Sequence, residues 1–335
     1  PLQLWAGHFD LVFVLVYLLP LFLMLLSFDL HTTEQQNGTL RLLMMQAGHL
    51  GGLLFAKTLA RLLILSGFLL ALTLWVWLLL RPWLDLDWSW SHWFLLLAVV
   101  MVYGAFWLLL AAWLNCFRWP AVQVATSLAT LWLLWSWLLP ATGQQALQTL
   151  YPVPSRLAYL QQQREALESA RRNSDQLLGA YLEDHPELAD GADNRYAMLQ
   201  LSKAQRMARA VRPLVQQYQQ QLARQQALAS AWIYLSPVSL LEQALMHLAG
   251  SDMARYEVFE VQAHAFQKDW QAFFMPLITQ GRALNSADFA RLPAFVDAVP
   301  DTRGQIFWRL SASLLVLLVL VLGLTWRAWR RYPVI

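Results

Sequence analysis

Cysteine and charge are both scarce in this chain, and each scarcity excludes a class of protein. The 335 residues contain one cysteine, Cys116, which excludes an internal disulfide and any metal or iron–sulfur site built from several cysteines. Charged residues make up 13% of the chain, whereas ordinary soluble domains carry roughly 25%. The net charge of +3 is small and no basic face with interleaved aromatic residues stands out, so we expect no nucleic-acid partner.

Motifs that carry out catalysis are also missing. The chain has no G-x-x-x-x-G-K-[ST] phosphate loop, so we expect that it does not hydrolyse ATP itself. Neither G-x-S-x-G nor H-E-x-x-H occurs, and we predict that the chain is not an enzyme. Histidines and carboxylates are scattered at irregular spacings, which favours solvated side chains over a metal site; the nearest candidates are His31 with Glu34, and His185, Glu187, Asp190 and Asp193.

Long apolar runs dominate what remains. Apolar residues make up 58% of the chain, and it contains 18 tryptophans, a residue that favours the headgroup level of a bilayer. Five stretches are apolar for about the 20 residues that a helix needs to cross a membrane. None has an interior charge, so we expect no proton relay or ion path within them. The predicted spans are Phe9–Ser27, Ala60–Leu80, Trp93–Leu114, Ala121–Leu139 and Phe307–Trp326.

Basic residues in the loops predict the orientation, because Lys and Arg collect on the cytoplasmic side. One set of loops is rich in them, whereas the loop with Asp85, Asp87 and His92 has only Arg81. The segment after the first span and the C-terminal tail are therefore predicted to be cytoplasmic. Five spans are an odd number, and the chain starts at Pro1, so we expect a first helix upstream that restores a cytoplasmic N-terminus. The loop cations are Arg41, Lys57, Arg61, Arg118, Arg327, Arg330 and Arg331.

The segment at 140–305 differs from the rest in composition, since it is rich in Gln, Ala, Arg and Glu. Its apolar residues recur at helical spacing, which predicts a helical extracytoplasmic domain with a hairpin tip near residues 184–193. We expect Pro213 to kink or divide its long second helix. Ser236 and Pro237 open a short apolar helix that Gly250 ends, either at the membrane interface or, as we favoured, buried in this domain.

These features divide the chain into three parts. Residues 1–139 are predicted to hold membrane helices with a cytoplasmic elbow at 28–59, residues 140–305 the helical domain, and residues 306–335 the last span and a basic tail. The predicted fold is an all-α membrane protein, a bundle of about five visible transmembrane helices, or six with the upstream helix.

The elbow is the strongest candidate site in the sequence. Its polar middle holds Glu34, Gly38 and Thr39, which suits a helix that breaks at the glycine and restarts with the threonine hydroxyl as its cap. Glu34 either meets a basic partner or is a simple loop charge. Apolar residues follow and form a short helix that needs a partner surface, which favours a docking element for a soluble protein; they are Leu40, Leu42, Leu43, Met44 and Met45.

Several segments of the chain resemble the permeases of ABC-2 type transporters. In the elbow these are Tyr17 to Leu21, Glu34 with Gly38-Thr39-Leu40, the apolar Leu42 to Gln46, and Lys57. Further segments resemble one bacterial branch with a large helical extracytoplasmic domain of unknown function before its last span. Those segments are Gly7 to Asp10, Leu150 to Arg156, Leu235-Ser236-Pro237 and Arg330 to Val334.

The resemblance covers nearly the whole chain and implies a function. It implies a permease subunit of the bacterial inner membrane, an exporter. The elbow residues that it implies contact the ATPase are Glu34, Gly38, Thr39, Leu40, Leu42, Leu43, Met44 and Lys57. It also implies a cytoplasmic ATPase dimer that binds ATP and Mg, and a second permease subunit, identical or related. The alternative is a mechanotransmitter that works on a periplasmic or outer-membrane partner and moves no substrate. Gln35 and Gln36 stand where such proteins often carry charges, which weakens the ionic part of the contact.

Overall fold

A computed structural model describes most of the chain. The described residues are 10–30, 34, 37–39, 45, 50–80, 90–117, 119–152, 195–279, 282–297 and 303–331, with scattered positions between 157 and 183. Within these residues the structure consists of helices and turns, without a strand. The predicted all-α membrane fold is confirmed.

The helices are numbered α1 to α9 in chain order over the described residues. The apolar helices in the first part of the chain are α1 (Leu11–Ser27), α2 (Leu50–Leu80), α3 (Trp90–Asn115) and α4 (Ala121–Leu150). Helix α1 contains a π-helical turn at Val14–Leu18, and α4 contains another at Leu134–Leu138. The remaining helices are α5 (Arg195–Ile233), α6 (Pro237–Ala249), α7 (Met253–Thr279), α8 (Ser286–Phe289) and α9 (Arg303–Arg331).

Four of these helices are long and apolar enough to cross a membrane. Their spanning parts are Gly52–Trp75, Trp90–Asn115, Ala121–Leu150 and Gly304–Arg330, which correspond to the last four predicted spans. The first predicted span is also an apolar helix, Leu11–Ser27, but its described part is shorter. Helix α2 begins at Leu50, ten residues before the predicted span, so Lys57 and Arg61 lie on a helix.

Two compact units make up the chain. The first comprises 1–143, 230–252 and 301–335, and the second comprises 144–229 and 253–300. The chain therefore passes from one unit to the other four times, and the short α6 belongs to the unit that holds the apolar helices.

Helix α3 is the centre of the first unit. It packs against α1, α2, α6 and α9, and about half of its length is buried inside the protein. At Gly104 the helix lies close to α2, since an added Cβ would come within 2.3 Å of the Leu65 side chain. A small residue is needed there because Leu65 is itself buried.

Helix α6 is capped as its sequence predicts. The Ser236 hydroxyl accepts a hydrogen bond from the Ser239 amide, Pro237 occupies the first turn, and Gly250 ends the helix with a φ of 69°. Its location differs from the expectation that we favoured, burial within the helical domain. Residues Leu240 and Leu241 are fully buried in the core of the apolar helices, since α6 is apolar enough to pack against α3 and α9.

The second unit is built around long helices. Helix α5 continues through Pro213, so the proline does not divide it. Helix α7 spans Met253–Thr279 and contains Pro276 in its last turn. Aromatic rings line α7 and meet the ring of Phe295, with Phe266 and Phe295 centroids 5.5 Å apart. Helix α8 is stabilised by a capping box between Asn285 and Asp288.

Candidate functional site at the elbow

The candidate site lies where the chain leaves α1 and where α2 begins. The last carbonyls of a helix lack partners within the helix, and side chains from elsewhere can satisfy them. Arg61 on α2 donates from Nε to the Leu26 carbonyl at 2.5 Å, and Lys57 donates from Nζ to the Leu30 carbonyl at 2.7 Å. Two cations therefore sit at the negative end of the α1 dipole, where positive charge is favourable.

A buried amide from α3 completes this arrangement. Asn115 donates from Nδ2 to the Ser27 carbonyl at 3.2 Å and to the Ala111 carbonyl of its own helix at 2.8 Å. Both Asn115 and Ser27 are fully buried. The end of α1 is thus held by side chains from two other apolar helices, so these three helices are joined at one point.

Glu34 pairs with a cation of its own chain. Its Oε1 atom lies 2.5 Å from the Lys57 Nζ atom, and the two side chains are 28% and 26% exposed, respectively. This settles the choice that the sequence left open, because Glu34 is more than a simple loop charge. Lys57 links the end of α1, the elbow and α2, since it contacts Leu30 and Glu34 at once.

Four charged side chains of the described residues lie close together at the elbow. Asp29 and Glu34 are the carboxylates that act on Arg61, and Lys57 is the second cation. These two negative and two positive side chains offset one another within the chain.

A turn follows Glu34. Gly38 has a φ of 71°, a left-handed conformation that glycine adopts without strain. The Thr39 hydroxyl donates to the Glu34 carbonyl at 3.3 Å, which closes the turn on the glutamate. The capping role that we expected of Thr39 concerns the residues after it, which lie outside the described part of the chain.

The predicted docking helix is described at one position. Leu40, Leu42, Leu43 and Met44 lie outside the described residues. Met45 is helical, and its side chain is 82% exposed. A large apolar side chain is therefore open at the surface of the elbow, as a docking element requires.

A small apolar cluster supports the elbow. Leu30, Leu54, Ala112 and Trp329 are buried together, so α2, α3 and α9 all contribute. Cys116, which directly follows α3, packs against this cluster. Sequence reasoning missed the roles of Asn115 and Trp329, although a lone asparagine at the end of an apolar span was a usable signal.

Metal ligation receives no support from the described residues. No group of three or more His, Cys, Asp or Glu side chains gathers among them. The other candidate positions, His31 and the carboxylates near residues 184–193, lie outside the described part of the chain.

These observations define a class: an all-α protein with membrane-spanning helices, an elbow and a second helical unit. We call the elbow braced because Lys57 of α2 bonds both the Leu30 carbonyl and the Glu34 carboxylate. Residues 156–296 match a protein family described as a domain of unknown function, DUF3526. The matched range covers most of the second unit and also α6. No curated protein and no solved structure is significantly similar to the chain.

Proposed function

We propose that this chain is the membrane subunit of an ABC-2 type transporter, with the elbow as the contact for a separate cytoplasmic ATPase. The observation that carries the proposal is the braced elbow, in which Lys57 joins Glu34 to the end of α1. The resemblance of the elbow residues to those of such permeases adds to it.

The braced elbow is connected to several helices, so a force that acts on it is transmitted to all of them. A force on the elbow reaches α1 and α2 through Lys57, and it reaches α3 through Asn115. Hydrogen bonds to charged groups contribute about 1.5–3 kcal/mol each when they are well shielded. Movement of a bound partner is therefore transmitted to several spans together, which is what coupling to an ATPase requires.

The partner supplies the nucleotide chemistry. This chain has no phosphate-binding loop, so ATP and Mg belong to the ATPase. Its surface would cover the exposed Met45 together with Leu40, Leu42, Leu43 and Met44. Burial of each such side chain contributes about 1.5–3 kcal/mol.

The sidedness of the chain is inferred from the loop charges, and the rest of the assembly from the resemblance to ABC-2 permeases. We place the chain in a bacterial inner membrane, with the elbow and the C-terminus in the cytoplasm and the segment between α4 and α9 in the periplasm. A second permease subunit, identical or related, would complete the pathway, and export is the proposed direction.

A mechanotransmitter is the second candidate, and one observation favours it. Helix α5 has 39 residues, which corresponds to a length of about 58 Å at 1.5 Å per residue. A helix of this length is long enough to carry a movement to a periplasmic or outer-membrane partner. In that case ATP-driven movement of the spans would reach α5 and no substrate would cross.

Affinity purification tests the ATPase contact directly. The full-length chain, purified from its native membrane, should bring an ABC ATPase with it. Replacing Leu42 and Leu43 with aspartate should remove the ATPase without unfolding the spans. The matched control is Leu157→Asp, the same change at an exposed leucine outside the elbow, which should retain it. Absence of the ATPase from the wild-type eluate, or its retention by the elbow variant, contradicts the proposal.

Orientation has its own test. Gln219 is exposed on α5, and a cysteine placed there in a Cys116→Ser background should react with an impermeant thiol reagent added to spheroplasts. Labelling that needs cell lysis would place this segment in the cytoplasm and reverse the orientation.

A further inference from the structure

Helix α6 is held in the first unit although the chain on both sides belongs to the second. Residues 230–252 cluster with the apolar helices, whereas 144–229 and 253–300 form the other unit. Two of the four passages of the chain between units therefore lie at the ends of the α6 segment. Any displacement of α6 is passed along the backbone to α5 and α7, which directly precede and follow it.

Both π-turns of the described helices contact α6. The turn in α1 spans Val14–Leu18, the turn in α4 spans Leu134–Leu138, and α6 packs against each. A π-turn holds one extra residue per turn, is rare and is frequent at functional sites. A π-turn lies at each of these two contacts, so α1 and α4 are distorted at the points where they pack against α6.

A polar contact joins α6 to the turn in α4. The Ser236 hydroxyl donates to the Trp135 carbonyl at 3.1 Å while it accepts from the Ser239 amide. Ser236 is fully buried. The first residue of the α6 cap is thus fixed to a carbonyl within the π-turn.

A second polar contact joins α6 to the turn in α1. The Tyr17 hydroxyl donates to Oε2 of Glu242 at 3.4 Å. Burial raises the pKa of Glu242, the Tyr17 hydrogen bond opposes that rise, and the Asp10 carboxylate adds to it. The contact needs an acceptor on Glu242 and does not need its charge.

Helix α3 connects the two turns. The Tyr103 hydroxyl donates to the Val16 carbonyl in the first turn at 2.8 Å. Its ring meets Trp107, whose centroid lies 5.7 Å from that of Trp135 in the second turn. A hydrogen bond and a chain of packed rings therefore connect the two turns.

We propose that α6 is the coupling helix between the spans and the second unit, and that Tyr17, Ser236 and Glu242 are the positioning residues that hold it to the two π-turns. This role rests on the proposed ATP-driven movement of the spans. Conversion of a π-turn to an α-turn re-registers the helix by one residue, a rotation of about 100°. Such a change would shift the groups that hold α6 and so move α5 and α7.

Hydrogen exchange tests the attachment without an ATPase. In the purified full chain, Tyr17→Phe with Ser236→Ala should speed exchange of the α6 amides by about tenfold or more, the effect of losing one or two net hydrogen bonds. Glu242→Gln keeps an acceptor and should leave exchange unchanged. The matched control is Tyr218→Phe with Ser313→Ala, the same changes at an exposed tyrosine of α5 and at a serine of α9 whose hydroxyl donates to the Arg309 carbonyl of its own helix. Unchanged exchange in the Tyr17/Ser236 variant would overturn the attachment.

A distance measurement tests the coupling. Spin labels at Gln219 and Arg327, in the complex with its ATPase and without Cys116, should report an ATP-dependent change in the wild type. In the Tyr17→Phe/Ser236→Ala variant that change should fall at least threefold while the ATPase stays bound. A full change in this variant overturns the coupling role even if α6 exchanges faster. Failure of the wild-type chain to bind any ATPase refutes the proposed function and the coupling role together, and the exchange result still decides the attachment.

Discussion

Loss of the Lys57 amine should lower the stability of the protein, and the size of this loss should depend on whether the Glu34 carboxylate is present. In Lys57→Met the aliphatic stem is kept, but the contacts with the Leu30 carbonyl and the Glu34 carboxylate are lost. Glu34→Gln keeps the shape of the partner and removes its charge. The two single variants and the double variant form a cycle that isolates the interaction.

The burial of the pair sets the expected size. Hydrogen bonds to charged groups contribute about 1.5–3 kcal/mol, and fully exposed ion pairs about 0.2–1 kcal/mol. Since the two side chains are about one quarter exposed, the pair lies between these limits. We expect Lys57→Met to cost about 1–2 kcal/mol, with a coupling to Glu34 of about 0.5–1 kcal/mol.

Thermal unfolding in detergent is the assay. At roughly 2–4 °C per kcal/mol, Lys57→Met should lower the Tm by about 2–8 °C, and Glu34→Gln should add little in its presence. The exposed ion pair of Arg172 with Glu168 is the matched control, and Arg172→Met should leave the Tm unchanged. Additive effects of Lys57→Met and Glu34→Gln would refute the bracing of the elbow.

Three further predictions follow from local geometry. The backbone N–H of Asn285 donates to the Asp288 carboxylate and holds the pKa of Asp288 below its ordinary value. This carboxylate therefore stabilises the fold above about pH 4, and its contribution is lost as the pH falls through the lowered pKa. The Tm gap between wild type and Asp288→Asn should be present at pH 7 and shrink on acidification. Gly104→Ala should lower the Tm because its Cβ meets Leu65, and adding Leu65→Ala should recover part of the loss, whereas additive losses would contradict this packing. Gly38→Ala should cost about 1 kcal/mol from its left-handed φ alone, because no atom of the described residues lies within 4 Å of its Cβ. Gly38→Asn should cost less, and equal effects on Tm would contradict this account.

Much of the fold was predictable because local rules determine it. Apolar runs of sufficient length predict membrane helices, and four of them have the expected length and composition. The cap at Ser236 and the end at Gly250 also follow from residue types that favour those backbone conformations. The start of α2 was misplaced because Lys57 and Arg61 were treated as loop charges, although each satisfies a carbonyl at the end of α1.

The candidate site was only partly predictable. Glu34, Gly38 and Lys57 were singled out, but their ordering around the end of α1 depends on residues far apart in the chain. Asn115 lies 88 residues after the carbonyl that it contacts, and no periodicity in the sequence indicates that pairing.

By itself, the sequence determined that this is a helical membrane protein without catalytic motifs, since composition, run length and motif content are local properties. Only the tertiary structure decided that Glu34 pairs with Lys57 and that α6 packs among the spans. The partner of a buried polar or apolar group is the one that the packed helices bring within reach, and that depends on the whole fold. The two π-turns beside α6 were likewise not predicted, because the cost of an extra residue in a helix is offset by contacts made elsewhere in the chain.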